Sequence, residues 1–195
     1  QVVNTHHHGD HTGGNHAFSP DIDILAQDNA TARVLAQMNR YLSQMKEAVG
    51  QLDGKTGAAA DKVRDEAKAF YLRRSDIKVH EFSPRTTFAK DRELVIGGVK
   101  VTLTHFGPGH TDNDIIVFLP GQNVLHAGDL LFHKRHPFVD RSGGGSTRGW
   151  QESLGKVIAV CNDKTIVIPG HGEPTDIAGL RAQVAYFDTM RDVVA

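Results

Sequence analysis

Four residues near the start of the chain are of the types that bind metal ions: His6, His8, Asp10 and His11. In an extended turn, His6 and His8 can point the same way and hold one ion. Asp10 and His11 then begin the next element and face a second position beside it. Imidazole suits zinc, and a carboxylate adds the negative charge that holds a second divalent cation nearby. The spacing therefore predicts two adjacent metal positions served by one short segment.

Three further residues offer ligands at points where predicted strands end. His110 lies in a turn rich in glycine and proline, Asp129 ends the segment His-Ala-Gly-Asp, and His171 follows Ile-Pro-Gly. Each of these alone is more often structural than functional. Together with the first motif they make seven candidate ligands, which is enough for two ions that share one carboxylate.

The composition is that of an ordinary globular domain of 195 residues, with 39% hydrophobic and 23% charged residues. The 22 basic and 23 acidic residues give a net charge of -1, so neither a nucleic acid nor a membrane surface is expected as a partner. We expect a small-molecule substrate. The single cysteine, Cys161, rules out an internal disulfide and leaves the compartment open, and the pattern says nothing of the oligomeric state.

Strands alternate with helices along the chain, which favours a layered α/β domain. Hydrophobic periodicity predicts the following elements: strands at 21–26, 94–96, 99–103, 114–119, 123–126 and 165–168, and helices at 28–49, 58–73 and 147–160. A two-glycine turn joins the second and third strands in a predicted hairpin. A further strand at residues 1–3 runs straight into the metal motif. The apolar stripe of a last helix, from Leu180 to Val194, continues to the end of the sequence. Both ends therefore look like those of a segment of a longer protein.

The order and spacing of these residues resemble the metallo-β-lactamase superfamily of αββα hydrolases, over essentially the whole chain. The resemblance implies a four-layer α/β fold of the αββα type. It also implies two metal ions, with these ligands: His6, His8 and His110 for the first, Asp10, His11 and His171 for the second, and Asp129 bridging both.

The ligand set is most similar to that of the glyoxalase II and general hydrolase branch. Zinc β-lactamases usually have a cysteine or a non-bridging residue where Asp129 stands, and flavodiiron proteins have a glutamate in place of His8. The chain also departs from the family pattern, because the N-terminal strands and a glutathione-binding domain are missing. We expect residues 1–195 to form one N-terminally truncated domain with a helical insertion at about 28–73. That insertion either packs on the sheet or forms a lid or a partner surface.

The function that the resemblance implies is binuclear zinc-dependent hydrolysis of a small ester, thioester, lactone or amide. Two ions sharing a water lower its pKa from 15.7 toward about 7, which gives a bridging hydroxide at neutral pH. Asp10 would hold the second ion and accept or pass a proton, so we predict it to be catalytic. Iron and manganese are alternative metals. The alternative functions are a mononuclear iron, persulfide dioxygenase-like oxidoreductase and a zinc β-lactamase.

Ligand histidines need acceptors for the ring nitrogens that face away from the metal. The candidates are Asp112, Asp114 and the backbone carbonyls of the glycine-rich turns. The other histidines, among them His7 and His126, are expected to lie outside the ligand set, and His126 to be a hydrogen-bonded core residue.

A cationic loop follows Asp129 and is expected to border the cavity. Its charged and titratable residues are His133, Lys134, Arg135, His136 and Arg141. Such a loop could anchor a carboxylate of the substrate through charge-assisted hydrogen bonds. A solvated surface loop is at least as good an interpretation of the same residues.

Overall fold

Two β-sheets lie at the centre of the protein in the computed structural model, which describes residues 1–52, 54 and 56–194. The first sheet has three parallel strands, β1 (Val2–Val3), β2 (Ile24–Gln27) and β3 (Thr86–Phe88). The second has five strands in sequential order: β4 (Asp91–Ile96), β5 (Val99–Thr104), β6 (Ile116–Leu119), β7 (Val124–Phe132) and β8 (Ile166–His171). Its neighbouring strands are antiparallel except for β7 and β8, which are parallel.

Five α-helices connect or follow these strands: α1 (Gly9–Thr12), α2 (Ala30–Gln51), α3 (Ala58–Ser75), α4 (Thr147–Val160) and α5 (Ile177–Val194). Short 3-10 helices occupy Asn15–Ala17 and Val79–Phe82. None of the helices described is long and apolar enough to cross a membrane.

Three hydrophobic clusters show how the layers are stacked. Between the sheets, Leu25 and Phe88 of the first pack with Leu103 of the second. On the outer face of the second sheet, α4 and α5 bury Trp150, Leu154 and Leu180 against β7 and β8. On the other side, α2 packs beside the first sheet with Val34 and Met38 against Phe82. The order of layers is helix, sheet, sheet, helix, so the predicted αββα architecture is confirmed.

The predicted hairpin is present, with Gly97 and Gly98 both at positive φ (57° and 82°) between β4 and β5. Helices were predicted within a few residues of α2, α3 and α4. That α2 and α3 are an insertion, and that residues 1–195 make one truncated domain, stays a prediction.

The extent of β7 was predicted incorrectly. We predicted a strand at 123–126 with Asp129 at its tip, but β7 continues to Phe132 and contains Asp129. Gly128 adopts φ 53°, and the pairing of β7 with β8 shifts register on both sides of it. This bulge hides the strand's continuation from a periodicity argument, because it interrupts the alternation of side chains.

Candidate metal centre

A buried asparagine pair folds the first motif back on itself. The Asn4 side chain donates to the carbonyl of His11 (2.9 Å) and exchanges hydrogen bonds with Asn15. Asn15 also donates to the carbonyl of Phe82 at 2.8 Å. Because buried amides hold their partners in one geometry, these bonds fix where α1 begins relative to β1.

The structure brings all seven predicted ligands together. The donor atoms of His6, His8, His110 and Asp129 lie within 4.8 Å of one another, and so do those of Asp10, His11 and His171. Asp129 stands between the two sets, at these distances from their Nε2 atoms: 3.8 Å to His6, 3.4 Å to His110, 3.2 Å to His11 and 3.2 Å to His171. Its carboxylate therefore faces both positions, which is the arrangement a bridging ligand requires.

Two glycines give Asp129 room in this arrangement. A Cβ on Gly170 would lie 1.9 Å from Asp129 Oδ1, and one on Gly128 would lie 2.8 Å from Cβ of Thr5. Any other residue at either position would displace the carboxylate or separate β7 from the first motif. The glycines beside Asp129 and His171 are thus needed for close approach.

The turn that carries His110 is held by an internal carboxylate. Asp114 is fully buried and accepts hydrogen bonds from the backbone N–H (2.8 Å) and the hydroxyl (2.7 Å) of Thr111. Burial raises the pKa of Asp114 to about 7, against the opposing effect of these Thr111 bonds. The His110 ring then rests 5.3 Å from the ring of Trp150, which fixes its orientation.

Hydrogen bonds outside the site assign the protons of two ligand histidines. His110 Nδ1 lies 2.6 Å from the carbonyl of Phe138, which can only accept, and His8 Nε2 lies 2.9 Å from a carboxylate oxygen of Asp140. Both nitrogens are therefore donors, so in the neutral rings the other nitrogens carry lone pairs. Those two lone pairs, on His110 Nε2 and His8 Nδ1, face each other across 2.9 Å.

The pKa values of the histidine rings also indicate that ligand nitrogens carry lone pairs. Burial, and then repulsion from His11 and His110, lowers the pKa of His6 well below its usual value. Burial also lowers the pKa of His110 to about 4. These rings are neutral at physiological pH and offer lone pairs to a cation. His11 differs, because the nearby carboxylates of Asp129 and Asp10 outweigh the effect of burial and raise its pKa.

The residues present fit a pair of divalent cations. Lone pairs that meet at hydrogen-bond distance without a proton repel each other, and a cation between them removes the repulsion. In addition, Asp129 Oδ1 is buried and accepts no hydrogen bond. An unsatisfied buried carboxylate oxygen is costly unless a cation approaches it. Histidine with carboxylate is the donor set that zinc, iron and manganese accept.

The outer partners of the ligand histidines differ from those predicted. Asp114 binds Thr111, and Asp112 pairs with Arg33 at 2.5 Å. The ring nitrogens are held instead by Asp140 for His8 and by the carbonyl of Phe138 for His110, which belongs to no glycine turn.

Thr5 lies behind two further ligand histidines. Its hydroxyl is 3.3 Å from His6 Nδ1 and 3.2 Å from His11 Nδ1. Sequence analysis missed Thr5 and Asp140. A local signal existed only for Asp140, which accepts from Ser142 and from the N–H of Gly143 in a turn typical of aspartate.

Two of the histidines expected outside the ligand set have partners of their own. His7 is buried, with Nδ1 at 2.9 Å from the Asn113 amide and Nε2 at 3.5 Å from Asp140. With His8 and Asp140 it forms a third group of close donor atoms. His126 accepts a hydrogen bond from the N–H of Gly128 at 3.0 Å, so it is hydrogen-bonded as predicted.

An open cavity of about 390 Å³ gives access to the ligands. His8, Asp10 and His171 line it, together with these residues: Gly9, Gln37, Arg40, Phe132, Phe138, Asp140 and Ser142. The segment 133–136 does not line this cavity. It borders a neighbouring one of about 500 Å³, which it forms with α5, and the two share only Phe132. The loop therefore borders the metal cavity through Phe138, Asp140 and Ser142, whereas none of its basic or histidine residues named above lines that cavity.

Comparison with known proteins gives a consistent result. The family model of the metallo-beta-lactamase superfamily matches residues 1–171. A probable metallo-hydrolase of Bacillus subtilis, YqjP, is 30% identical over 183 residues, which cover 89% of this chain and 54% of that protein. The type 2 metallo-beta-lactamase of Bacillus cereus is 25% identical over 175 residues, covering 90% of this chain and 52% of that protein.

Among solved structures, a metallo-beta-lactamase from Pontibacter korlensis has a TM-score of 0.65 at 20% identity, covering 96% of this chain and 69% of that one. At this identity the likeness concerns the fold. The chain spans about half the length of the two relatives named above. By its family match and its fold, the chain belongs to the metallo-beta-lactamase superfamily.

Proposed function

We propose that this protein is a binuclear zinc-dependent hydrolase of small esters, thioesters, lactones or amides. The observation that carries the proposal is the pair of lone pairs on His8 and His110, which face each other at 2.9 Å beside the unsatisfied oxygen of Asp129. Membership of a superfamily with metallo-hydrolase relatives supports it at the coarser level of a metal-dependent hydrolase.

Two ions at this centre would supply an activated water and polarise a carbonyl oxygen. The predicted ligands would hold these ions in two sets. His6, His8 and His110 would hold the first ion, His11 and His171 would hold the second with Asp10, and Asp129 would bridge them.

Asp10 is the residue best placed to move a proton. Its carboxylate is 56% exposed and lies 3.3 Å from both His11 Nε2 and His171 Nε2, so one oxygen can face the second ion while the other meets solvent and substrate. Such a group can accept the proton of the attacking water and return it to the leaving group.

Apolar side chains form part of the cavity wall around these groups. Phe132 stacks on His171 with 4.9 Å between ring centroids, and Phe138, 61% exposed, lies 6.0 Å from the ring of His8. Rings at the entrance can cover the organic part of a substrate while the carbonyl meets the polar floor. This favours a small organic substrate.

The one-iron, persulfide dioxygenase-like alternative makes less use of the second ligand set. Asp10, His11 and His171 are all in place and all within reach of one another. We favour the two-ion centre because it would use all three of these residues as ligands.

The first experiment is elemental analysis of the purified protein, followed by assays with aryl ester, thioester, lactone and β-lactam substrates. Two zinc ions per chain and turnover that is lost in Asp10→Ala are expected. The control is Asp163→Ala, which removes an exposed carboxylate remote from the centre. One iron per chain, or full turnover by Asp10→Ala, would contradict the proposal.

A further inference from the structure

One face of α2 forms a wall of the metal cavity. Gln37 and Arg40 line that cavity and also line an adjoining groove of about 570 Å³. Gly9, between the ligands His8 and Asp10, is the third residue common to both. The metal cavity and the groove are therefore adjacent at Gly9, Gln37 and Arg40, so one elongated molecule bound at this rim would contact both.

Hydrogen bonds join this face of α2 to the loops that position the ligands. Arg33, one turn before Gln37, donates to the carboxylate of Asp112 (2.5 Å) and to the carbonyl of Ser142 (2.7 Å). Ser142 in turn donates to Asp140, which holds His8. Because α2 is tied to the outer partners of the first ligand set, its face has a fixed distance from the metal centre.

The two side chains that face both spaces have unused polar groups. Gln37 Oε1 is buried without a hydrogen-bond partner, and it lies close to Gly9, where an added Cβ would be 3.8 Å from it. The Arg40 side chain is exposed, and within the described part of the chain its guanidinium has no hydrogen bond or ion pair. A cation without a protein partner at the rim of a ligand cavity is available to an anion.

The groove beyond Arg40 combines an apolar floor with amides. Its other lining residues are Gly13, Met38, Tyr41, Gln44 and Phe82. None of the described residues that line it is acidic, so nothing there competes for the guanidinium. The chemistry suits an organic body with a negatively charged group.

We propose that Arg40 and Gln37 determine specificity, selecting substrates that bear a carboxylate on an apolar or aromatic group, with that group in the α2 groove. This rests on the proposed function, since it names the substrate class of the same centre. The carboxylate would accept two hydrogen bonds from the Arg40 fork, while Gln37 Oε1 would accept from a donor on the substrate, such as an amide N–H.

The cavity beside α5 is the competing place for the anion, because Lys134 and Arg135 line it. It shares only Phe132 with the metal cavity, whereas the α2 groove shares three residues with it. The Phe132 ring stands between the α5 cavity and His171. Continuity with the metal centre therefore favours α2.

The test uses two aryl esters of equal length, one an aryl hemisuccinate with a free carboxylate and the other its methyl-capped form. We expect the protein to prefer the anionic ester at least about tenfold in kcat/KM. Arg40→Ala should lower kcat/KM for the anionic ester about 10- to 100-fold, mainly through KM, and leave the neutral ester within about twofold. Arg40→Glu should reverse the preference.

Lys46→Ala is the matched control, because it removes a cation from the same helix outside both spaces. A second comparison is the double variant Lys134→Ala, Arg135→Ala. The inference is overturned if Arg40→Ala affects both esters equally or neither, or if the anionic preference disappears in the double variant instead.

A binding measurement separates this inference from the proposed function. Calorimetric titration of the zinc-loaded protein with 3-mercaptopropionate and with its neutral amide needs no turnover. If neither ester is hydrolysed but the acid binds at least about tenfold more tightly and loses this advantage in Arg40→Ala, the hydrolase proposal fails and the recognition by Arg40 stands. If both esters are hydrolysed equally and both thiols bind equally, the recognition fails and the hydrolase stands.

Discussion

The two ligand sets of the candidate metal centre, called its first and second halves here, differ in how firmly the protein holds their side chains. In the first half the side chains of His6 and His110 are 0% and 1% exposed, whereas in the second half Asp10 and His171 are 56% and 37% exposed. The first half also has a partner behind each ring: Asp140, the carbonyl of Phe138, and Thr5, which is shared with His11 of the second half. His171 stacks on Phe132.

From this difference we expect the first half to bind its ion tightly and the second half to exchange its ion more readily. Rings whose outer nitrogens are already bonded lose little freedom when an ion enters, so the first position should bind metal more tightly. The exposed half faces the cavity, where substrate and water arrive. Asp129 joins the halves, and changes at Asp129 should therefore be the most severe.

The largest effect is expected for Asp129→Ala. Among the described residues Asp129 is the only carboxylate that contacts both halves, so bound metal should fall to one ion per chain or fewer and kcat/KM by at least about a thousandfold. Elemental analysis after gel filtration, with Asp163→Ala as the control, measures both. Retention of two ions would show that Asp129 does not bridge.

Asp10→Ala should abolish metal binding in the second half alone. The second ion should be lost while the first stays, giving one ion per chain, and turnover should fall by at least about 100-fold because the proton-transferring carboxylate is gone. Metal content and kcat are read from the same preparation. Loss of both ions would mean that the halves do not bind independently.

Asp140→Asn should weaken metal binding at the first position alone. Replacing the charged acceptor behind His8 is expected to lower the affinity of the first position about 10- to 100-fold and leave the second within about twofold. Competition with a chromophoric zinc chelator measures the zinc affinities of the two positions separately. Asp112→Asn is the control, because Asp112 was predicted for this role but bonds to Arg33; an equal effect there would refute the assignment to Asp140.

The last prediction is on stability rather than activity and concerns the turn that carries His110. The pKa of Asp114 is raised to about 7 in the folded protein, while a free aspartate titrates near ~3.9, so between these values the unfolded chain holds fewer protons. The contribution of Asp114 to the free energy of unfolding should therefore fall as pH rises from about 4 to 7, by up to about 1.4 kcal/mol per pH unit.

Urea unfolding of the metal-free protein and of Asp114→Asn at several pH values measures this contribution. The variant should lack that slope, so its free energy of unfolding should depend less on pH than that of the parent between pH 4 and 7. Parallel pH profiles for the two proteins would indicate that Asp114 is ionised in the folded state.

Much of the site was predictable because its strongest signal is local. His6, His8, Asp10 and His11 lie within six residues, and a short extended segment followed by one helical turn leaves them few ways to point. The hairpin at Gly97 and the helices were predictable for the same reason. The course of β7 was not, since the Gly128 bulge breaks the period on which strand predictions depend.

The ligand types, their order and the layered α/β architecture could be predicted from the sequence, because residue chemistry and short-range periodicity are properties of the chain. Which groups lie behind and around the ligands became known from the packing of the layers. Asp140 meets His8 from 132 residues away, and Arg40 reaches the cavity through the packing of α2. Such pairings depend on how the layers stack, and local pattern carries no information about partners that distant in the chain.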